Sequence, residues 1–103
     1  MVQLVWTERA LTQLERIRDT ISADSLRYAE RFCTRLVAAT AKLADWPRCG
    51  AVVSEFDDDS VRELPFFPYR ILYKLQEDKC YIVTIIHGRR DLFRHEQPEK
   101  WDV

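Results

Sequence analysis

Two residues in the second half of the chain are suited to phosphate chemistry. Arg70 stands in an alternating segment, and His87 ends a β-forming segment that begins at Cys80. A planar guanidinium with forked donors can recognise a phosphate. A histidine can act as a general acid because its pKa lies near working pH. Together the two residues could hold a phosphate and donate a proton.

Each residue also has a structural interpretation. Arg70 could pair with a carboxylate on the same sheet face, such as Glu63, since structural ion pairs are common. His87 could simply end its strand, because single-residue matches to a functional motif are often accidental. The sequence leaves both interpretations open for each residue.

An arginine pair follows directly in the chain. Arg89 and Arg90 come after Gly88, which could adopt a positive φ or form a bulge that redirects them. The pair could form a small anion-binding patch for nucleic acid or for an acidic partner. Alternatively, it is a solubilising pair that forms salt bridges with Asp91.

The last predicted hairpin must position Arg70 and His87. A two-residue loop at Glu77-Asp78 sets Arg70 opposite Ile85, and directly opposite residues share a face. Arg70 and His87 are then diagonal neighbours on one face, although a slip of one residue would undo this. The other face is more apolar and should meet the helices; it carries Tyr69, Ile71, Tyr73, Leu75, Ile82 and Ile86.

Two amphipathic helices precede these strands. After a first strand at Val2 to Trp6, Thr7 is the expected N-cap of a helix with apolar residues at spacings of three and four. Ser22 or Asp24 is expected to cap a second helix. That helix ends at Trp46-Pro47, because proline disfavours helix in the residue before it. So short a link predicts an antiparallel hairpin.

Strand-like alternation begins after Gly50. It predicts strands at Val61 to Leu64, Tyr69 to Leu75 and Cys80 to His87, with a turn at Pro65 to Pro68. The order β-α-α-β-β-β predicts an α+β domain, with the helical hairpin packed on one face of a small antiparallel sheet. The other face is then at least partly free to meet a partner.

Four aromatic residues are of interest. Trp6 and Trp46 are expected in the core. Phe66 and Phe67 stand between two prolines, where they could form an exposed apolar loop that contacts a partner. Alternatively, that loop folds back on the core.

Length and charge restrict the class of protein. A chain of 103 residues makes one domain, and a net charge of −1 excludes a bulk polyanion binder. Glu55 and Asp57 to Asp59 form an acidic run, which we expect to be a solvated face. Residues 62–95 carry seven Lys/Arg against four acids, so an anion-binding surface should lie there.

Location and cofactors follow from what the sequence lacks. No stretch approaches the roughly 18 apolar residues of a membrane span, and the first residues lack a signal-peptide pattern. We therefore expect a cytoplasmic protein with no membrane partner. Cys33, Cys49 and Cys80 are odd in number and widely spaced, which favours buried thiols over disulfides or a zinc site. No metal or organic cofactor is indicated.

Five segments carry a family resemblance: VWTERAL, LADWPRCG, VREL, PYRILYKL and VTIIHGRRDL. Together they resemble the RelE/ParE superfamily of toxins from type II toxin–antitoxin systems, from residue 2 to about residue 92. The resemblance implies a toxin domain over 1–92, and the polar composition of 93–103 predicts a flexible tail after it. It also implies the β-α-α-β-β-β fold and a cognate antitoxin whose C-terminal segment wraps around the toxin.

The superfamily offers two kinds of target. RelE-like members are ribonucleases, many of which cut messenger RNA on the ribosome, and ParE-like members poison DNA gyrase. In RelE-like ribonucleases an arginine matching Arg70 helps to stabilise the scissile phosphate, and some use a histidine where His87 stands. Three departures favour the ParE-like kind: the clustered lysines are missing, the tail has no tyrosine, and the pI is about 6.1.

We therefore predict a toxin that inhibits bacterial growth by ParE-like poisoning of DNA gyrase and is neutralised by an antitoxin. The alternatives are a RelE-like ribonuclease, in which Arg70 and His87 are catalytic, and an inactive antitoxin-binding module. The predicted residues for binding target or antitoxin are Arg62, Arg70, His87, Arg89, Arg90, Phe66 and Phe67. Arg62 is included mainly for the resemblance, since its expected register places it on the apolar face, where it would only snorkel.

Overall fold

The two helices pack together on one face of a five-stranded sheet in a computed structural model that describes residues 1–88, 94 and 96–103. The strands are β1 (Gln3–Trp6), β2 (Ala51–Val52), β3 (Val61–Phe66), β4 (Tyr69–Gln76) and β5 (Lys79–His87), and the α-helices are α1 (Glu8–Ser22) and α2 (Leu26–Thr40). Short 3-10 helices lie at Ala41–Ala44 and Pro98–Lys100. The predicted α+β fold with a helical hairpin is confirmed.

Each α-helix begins at a residue whose side chain caps its first turn. The hydroxyl of Thr7 accepts a backbone N–H of α1 at 3.1 Å, as predicted, and donates to the carbonyl of Ile82 at 2.8 Å. This second bond ties the start of α1 to β5. Ser25 caps α2, whereas Ser22 or Asp24 was predicted. The prediction was wrong because α1 continues through Ser22, which is therefore inside the first helix.

The second helix ends earlier than the sequence predicts. It stops at Thr40 and continues as a 3-10 turn, so that Trp46 lies in the following loop. Trp46 is 65% exposed, and its predicted place in the core was wrong. Trp6 does pack against the core beneath the helices.

The strand order of the sheet is β1-β5-β4-β3-β2. The pairs β5–β4, β4–β3 and β3–β2 are antiparallel, but β1 runs parallel to β5, so the sheet is mixed and not wholly antiparallel as predicted. Alternation of apolar residues marks a segment as a strand but does not give the direction of its neighbour. The two-residue strand β2 was not predicted, because it is too short to show alternation.

A proline lies within β3. This strand runs through Pro65 to Phe66, two residues beyond its predicted end, and Pro65 pairs with Arg70 of β4. On the other side of β3, β2 pairs only with Arg62 and Glu63. Among the described residues, Pro65 thus has no strand neighbour on its outer side, where a residue without an N–H is tolerated.

Apolar side chains cover both faces of the sheet. The core beneath the helices includes Leu36, Leu43, Ile71, Tyr73 and Ile82. A second core on the opposite face contains Val53, Val61, Leu72, Val83, Ile86 and Trp101. The predicted partly free face is thus largely covered by the loop after β2 and by the C-terminal segment. Trp101 belongs to the tail that was predicted to be polar, but its side chain is 6% exposed and lies in this second core.

Candidate functional site

Arg70 lies on the sheet face opposite the helices, where its guanidinium meets two carboxylates. Its Nε and one terminal nitrogen donate to the two oxygens of Glu63 at 2.7 and 2.5 Å. Its terminal nitrogens also reach the oxygens of Glu55 at 3.2 and 3.4 Å. The structure thus contains the ion pair with Glu63 that the sequence offered as one alternative, and it adds Glu55 from the loop after β2.

The Arg70 guanidinium and the carboxylates of Glu55 and Glu63 stabilise one another's charged forms. Hydrogen bonding to Glu63 is the main cause that raises the pKa of Arg70 above its ordinary value. Hydrogen bonding from Arg70 is the main cause that lowers the pKa of Glu55. One cation and two carboxylates leave a formal charge of −1, and only 17% of the Arg70 side chain is exposed. A phosphate would therefore meet a neutralised guanidinium and an excess carboxylate.

A β-bulge interrupts the pairing of β4 with β5. Leu72 pairs with Thr84, but the next residue of β4, Tyr73, pairs with Ile82. Val83 is the additional residue on β5. An additional residue in one strand changes the face on which every later side chain of that strand lies.

The bulge separates Arg70 from His87. Arg70 pairs with Ile86 and not with Ile85, so the predicted faces of these two isoleucines are exchanged. His87 pairs with Tyr69 instead, on the helix side of the sheet, and their ring centroids lie 5.9 Å apart. The predicted juxtaposition of Arg70 and His87 on one face was therefore wrong.

Arg62 lies opposite Tyr73 on the helix side, as predicted, but it binds protein and does not simply extend into solvent. Its guanidinium donates to the carbonyls of Asp59 at 2.9 Å, Gly50 at 3.0 Å and Arg48 at 3.2 Å. These bonds fasten the segments on either side of β2. Arg62 thus has a structural role in this chain.

Tyr73 holds the same loop from inside the core. Its hydroxyl donates to the Pro47 carbonyl at 2.8 Å and accepts the Gly50 N–H at 2.9 Å. Burial raises the pKa of this phenol to about 12. A Cβ on Gly50 would lie 2.5 Å from the Tyr73 hydroxyl, so the close approach requires glycine.

Phe66 and Phe67 have different surroundings. Phe66 packs against Phe32 of α2, with ring centroids 5.3 Å apart, whereas Phe67 is 92% exposed. The sequence left two alternatives, an exposed loop and a loop folded onto the core. The first holds for Phe67 and the second for Phe66. Phe67 borders an open groove of about 380 Å³ that is lined by Pro65, Phe67, Pro68, Tyr69, His87 and Gly88.

Arg89 and Arg90 lie outside the described residues. Gly88, just before them, does not have the positive φ that the sequence suggested. Its N–H donates to the carbonyl of Pro68 at 2.8 Å, which closes the end of the groove. The anion-binding role of the arginine pair stays a prediction.

One buried charge was missed by the sequence reasoning. Glu96 is 3% exposed, and its two oxygens accept hydrogen bonds from Arg9 at 2.9 and 3.0 Å. The indole N–H of Trp101 donates to the same carboxylate at 3.1 Å. The only sequence signal for this contact was a tryptophan in an otherwise polar tail.

The described residues include no group of three or more His, Cys, Asp or Glu that could hold a metal ion. Burial raises the pKa of Cys80 to about 12, so this thiol stays protonated and is a poor metal ligand or nucleophile at neutral pH. Within the same described ranges, no helix has the length and apolar character needed to cross a membrane.

Comparison with known proteins gives the family. A family model described as the ParE toxin of the type II toxin-antitoxin system parDE matches residues 4–92. The chain belongs to this ParE toxin family. Toxin RelE2 of Caulobacter vibrioides is 38% identical to it over 91 residues, which is 87% of this chain and 99% of that protein.

A solved structure agrees with this assignment at the level of the fold. The chromosomal ParDE TA system from P. aeruginosa contains a chain that superposes with a TM-score of 0.72 at 21% identity, covering 84% of this chain and 96% of that one. By its family, this chain is the toxin of a type II toxin–antitoxin system, and its partner is an antitoxin. The predicted superfamily is confirmed.

Proposed function

We propose that this ParE-family toxin inhibits bacterial growth by poisoning DNA gyrase through protein–protein contacts, and that its cognate antitoxin neutralises it. The observation that carries the proposal is the separation of Arg70 from His87. A ribonuclease needs a phosphate-binding cation and a proton donor at the same scissile bond. Here two carboxylates neutralise the cation, and the histidine lies on the other side of the sheet.

The proposed contact surface is the apolar groove beside Phe67. A phenylalanine that is 92% exposed contributes little to the core, and large exposed apolar side chains are typical of interaction sites. His87 lines the same groove and would add a polar contact. Arg89 and Arg90 follow the groove in sequence and would meet an acidic surface of the target or of the antitoxin.

The ribonuclease alternative is favoured by one observation, the 38% identity to a protein named Toxin RelE2. On this alternative Arg70 would bind the scissile phosphate, and His87 would donate a proton. The guanidinium would first have to leave Glu55, and the end of β5 would have to turn so that His87 reaches the Arg70 face. The gyrase proposal requires neither rearrangement.

The test is induced expression of the chain in bacteria without its antitoxin, with pulse labels for DNA and protein synthesis. We expect DNA synthesis to fall first, and purified gyrase to accumulate cleaved DNA when the chain is added. Phe67→Ser should weaken this effect about tenfold or more, because an interface aromatic is lost. The matched control is Leu26→Ser, which changes an apolar residue that is 54% exposed and outside the groove, and should leave the effect unchanged.

The opposite order of events would overturn the proposal. If protein synthesis falls first, and messenger RNA is cleaved on ribosomes in a reaction that His87→Ala abolishes, the chain is a ribonuclease. Harmless expression of the folded chain would instead identify an inactive antitoxin-binding module.

A further inference from the structure

The outward face of the helical hairpin carries two rows of opposite charge. All six side chains are exposed: the acidic row on α1 is Glu8, Glu15 and Asp19, and the basic row on α2 is Arg27, Arg31 and Arg35. Spacings of seven and four residues on α1, and of four residues on α2, keep each row on one side of its helix. In the described part of the chain, none of the six side chains forms an ion pair. Both rows are therefore available to a partner.

Apolar side chains lie between the two rows. Arg18 of α1 and Glu30 of α2 are joined by a salt bridge of 3.4 Å, which shows that these two residues lie at the same level of the antiparallel helices. Leu11 and Val37 are each seven residues further from the link between the helices, so they lie at the same level of the hairpin. They are 48% and 40% exposed. The centre of the face thus contains Leu11, Val37 and the Arg18–Glu30 pair, with one acidic and one basic margin.

We infer that this face binds the same face of a second copy of the chain. A two-fold axis parallel to the helices places α1 of each copy antiparallel over α2 of the other copy. The acidic row of one copy then meets the basic row of the other, and the two centres, with Leu11 and Val37, face each other. A two-fold axis across the helices would instead place acidic row on acidic row, so the charges select the first arrangement.

The alignment of the helices also matches the charges along their length. The Arg18–Glu30 pair puts Glu15 at the level between Arg31 and Arg35. In the dimer each Glu15 would therefore lie between two arginines of the second copy. Such exposed ion pairs are weak and screened by salt, so the dimer should be concentration-dependent and salt-sensitive.

The test is sedimentation equilibrium of the full chain over a range of concentrations. At about 50 mM salt we expect a mass approaching twice the 12.3 kDa of the chain, and at about 1 M salt a shift towards monomer. Arg31→Glu or Glu15→Arg alone should weaken dimerisation about tenfold, because each change is repeated by the symmetry. The double variant should recover dimerisation, because it restores opposite charges across the interface.

Controls separate this inference from loss of fold and from the proposed function. Asp78→Arg makes the same charge change as Glu15→Arg in the exposed β4–β5 turn and should leave dimerisation unchanged. Circular dichroism checks the fold of each variant. The experiment measures mass and not toxicity, so the dimer inference can be tested even if the gyrase proposal fails.

Three results would overturn the inference. The first is a wild-type chain that stays monomeric at every concentration. The second is a dimer that neither single charge reversal weakens. The third is a double variant that dimerises as weakly as the single variants. That result would mean that the two rows do not pair with each other. The basic row would then be better explained as a surface for an acidic protein or a nucleic acid.

Discussion

Arg70 is the residue that most affects the choice between an enzyme and a protein that acts by binding. Its side chain type suits a phosphate, yet it is paired with two carboxylates and only 17% exposed. A residue type gives the chemistry that a side chain could perform, but its neighbours decide whether that chemistry is available. The same holds for Arg62, whose donors are bound to backbone carbonyls.

The Arg70 cluster predicts a specific dependence of stability on pH. The pKa of Glu55 is lowered from 4.5, so the stability that this carboxylate contributes is present above about pH 4.5 and is lost as the pH falls through the lowered value. Arg70→Met should reduce the free energy of unfolding by about 2 kcal/mol at pH 7. The difference from wild type should shrink at pH values below that range. Urea denaturation at pH 7 and at an acidic pH below the range in which Glu55 titrates measures both effects.

Arg16→Met is the matched control, because Arg16 is exposed and has no ion pair with a described residue. It should change the unfolding free energy by less than about 0.5 kcal/mol at either pH. A cost of Arg70→Met that is the same at both pH values would contradict the assigned role of Glu55.

Among the secondary-structure elements, the β4–β5 hairpin decides most about the site. Its two-residue turn sets the register of the first pairs, and the bulge at Val83 then changes that register. The turn was predictable because polar residues interrupt two alternating segments. The bulge was not, because Val83 lies between the β-branched residues Ile82 and Thr84 and fits either face.

The turn of this hairpin contains strain that a substitution can remove. Glu77 has a φ of 57°, a conformation that suits glycine better than a side chain with a Cβ. Glu77→Gly should therefore stabilise the fold by about 1 kcal/mol, measured as a higher midpoint of urea denaturation. Asp78→Gly is the control, because Asp78 is not among the residues with positive φ and should not gain stability. Equal effects of the two changes would rule out strain at Glu77 as the cause.

At the scale of the whole molecule, the helices cover one face of the sheet, and the loop after β2 with the C-terminal segment covers the other. A domain of 103 residues buries a limited core, so the second core under Trp101 adds substantially to stability. Glu96 connects this C-terminal segment to Arg9 at the start of α1. Both ends of the sequence thus contribute to one contact.

Removal of the Trp101 side chain should therefore be costly. Trp101→Ala leaves a cavity against Val83 and Phe56 and removes the hydrogen bond that the indole donates to Glu96. We therefore expect a loss of about 3–5 kcal/mol in the free energy of unfolding. Lys100→Ala changes the exposed neighbour and should cost less than about 0.5 kcal/mol. Urea denaturation compares the two variants. If both are as stable as wild type, the C-terminal segment does not hold the sheet.

The sequence by itself determined the two α-helices, four of the five strands and the fold class. Apolar spacings of three and four gave the helices, alternation gave three of the strands, and Thr7 gave the first cap, since each signal lies within a few neighbouring residues. The ion pair of Arg70 with Glu63 was also available from the sequence, as one of two alternatives. These features depend on local geometry, which the order of residues records directly.

Only the tertiary structure decided which candidate residues meet. The bulge that turns His87 away from Arg70 depends on packing at both faces of the sheet, and the parallel alignment of β1 with β5 depends on the course of the chain through the helices. The burial of Glu96 depends on Arg9, which is 87 residues away in the chain. Such contacts form between distant segments, and their energy comes from the packed molecule as a whole, so no local pattern in the sequence records them.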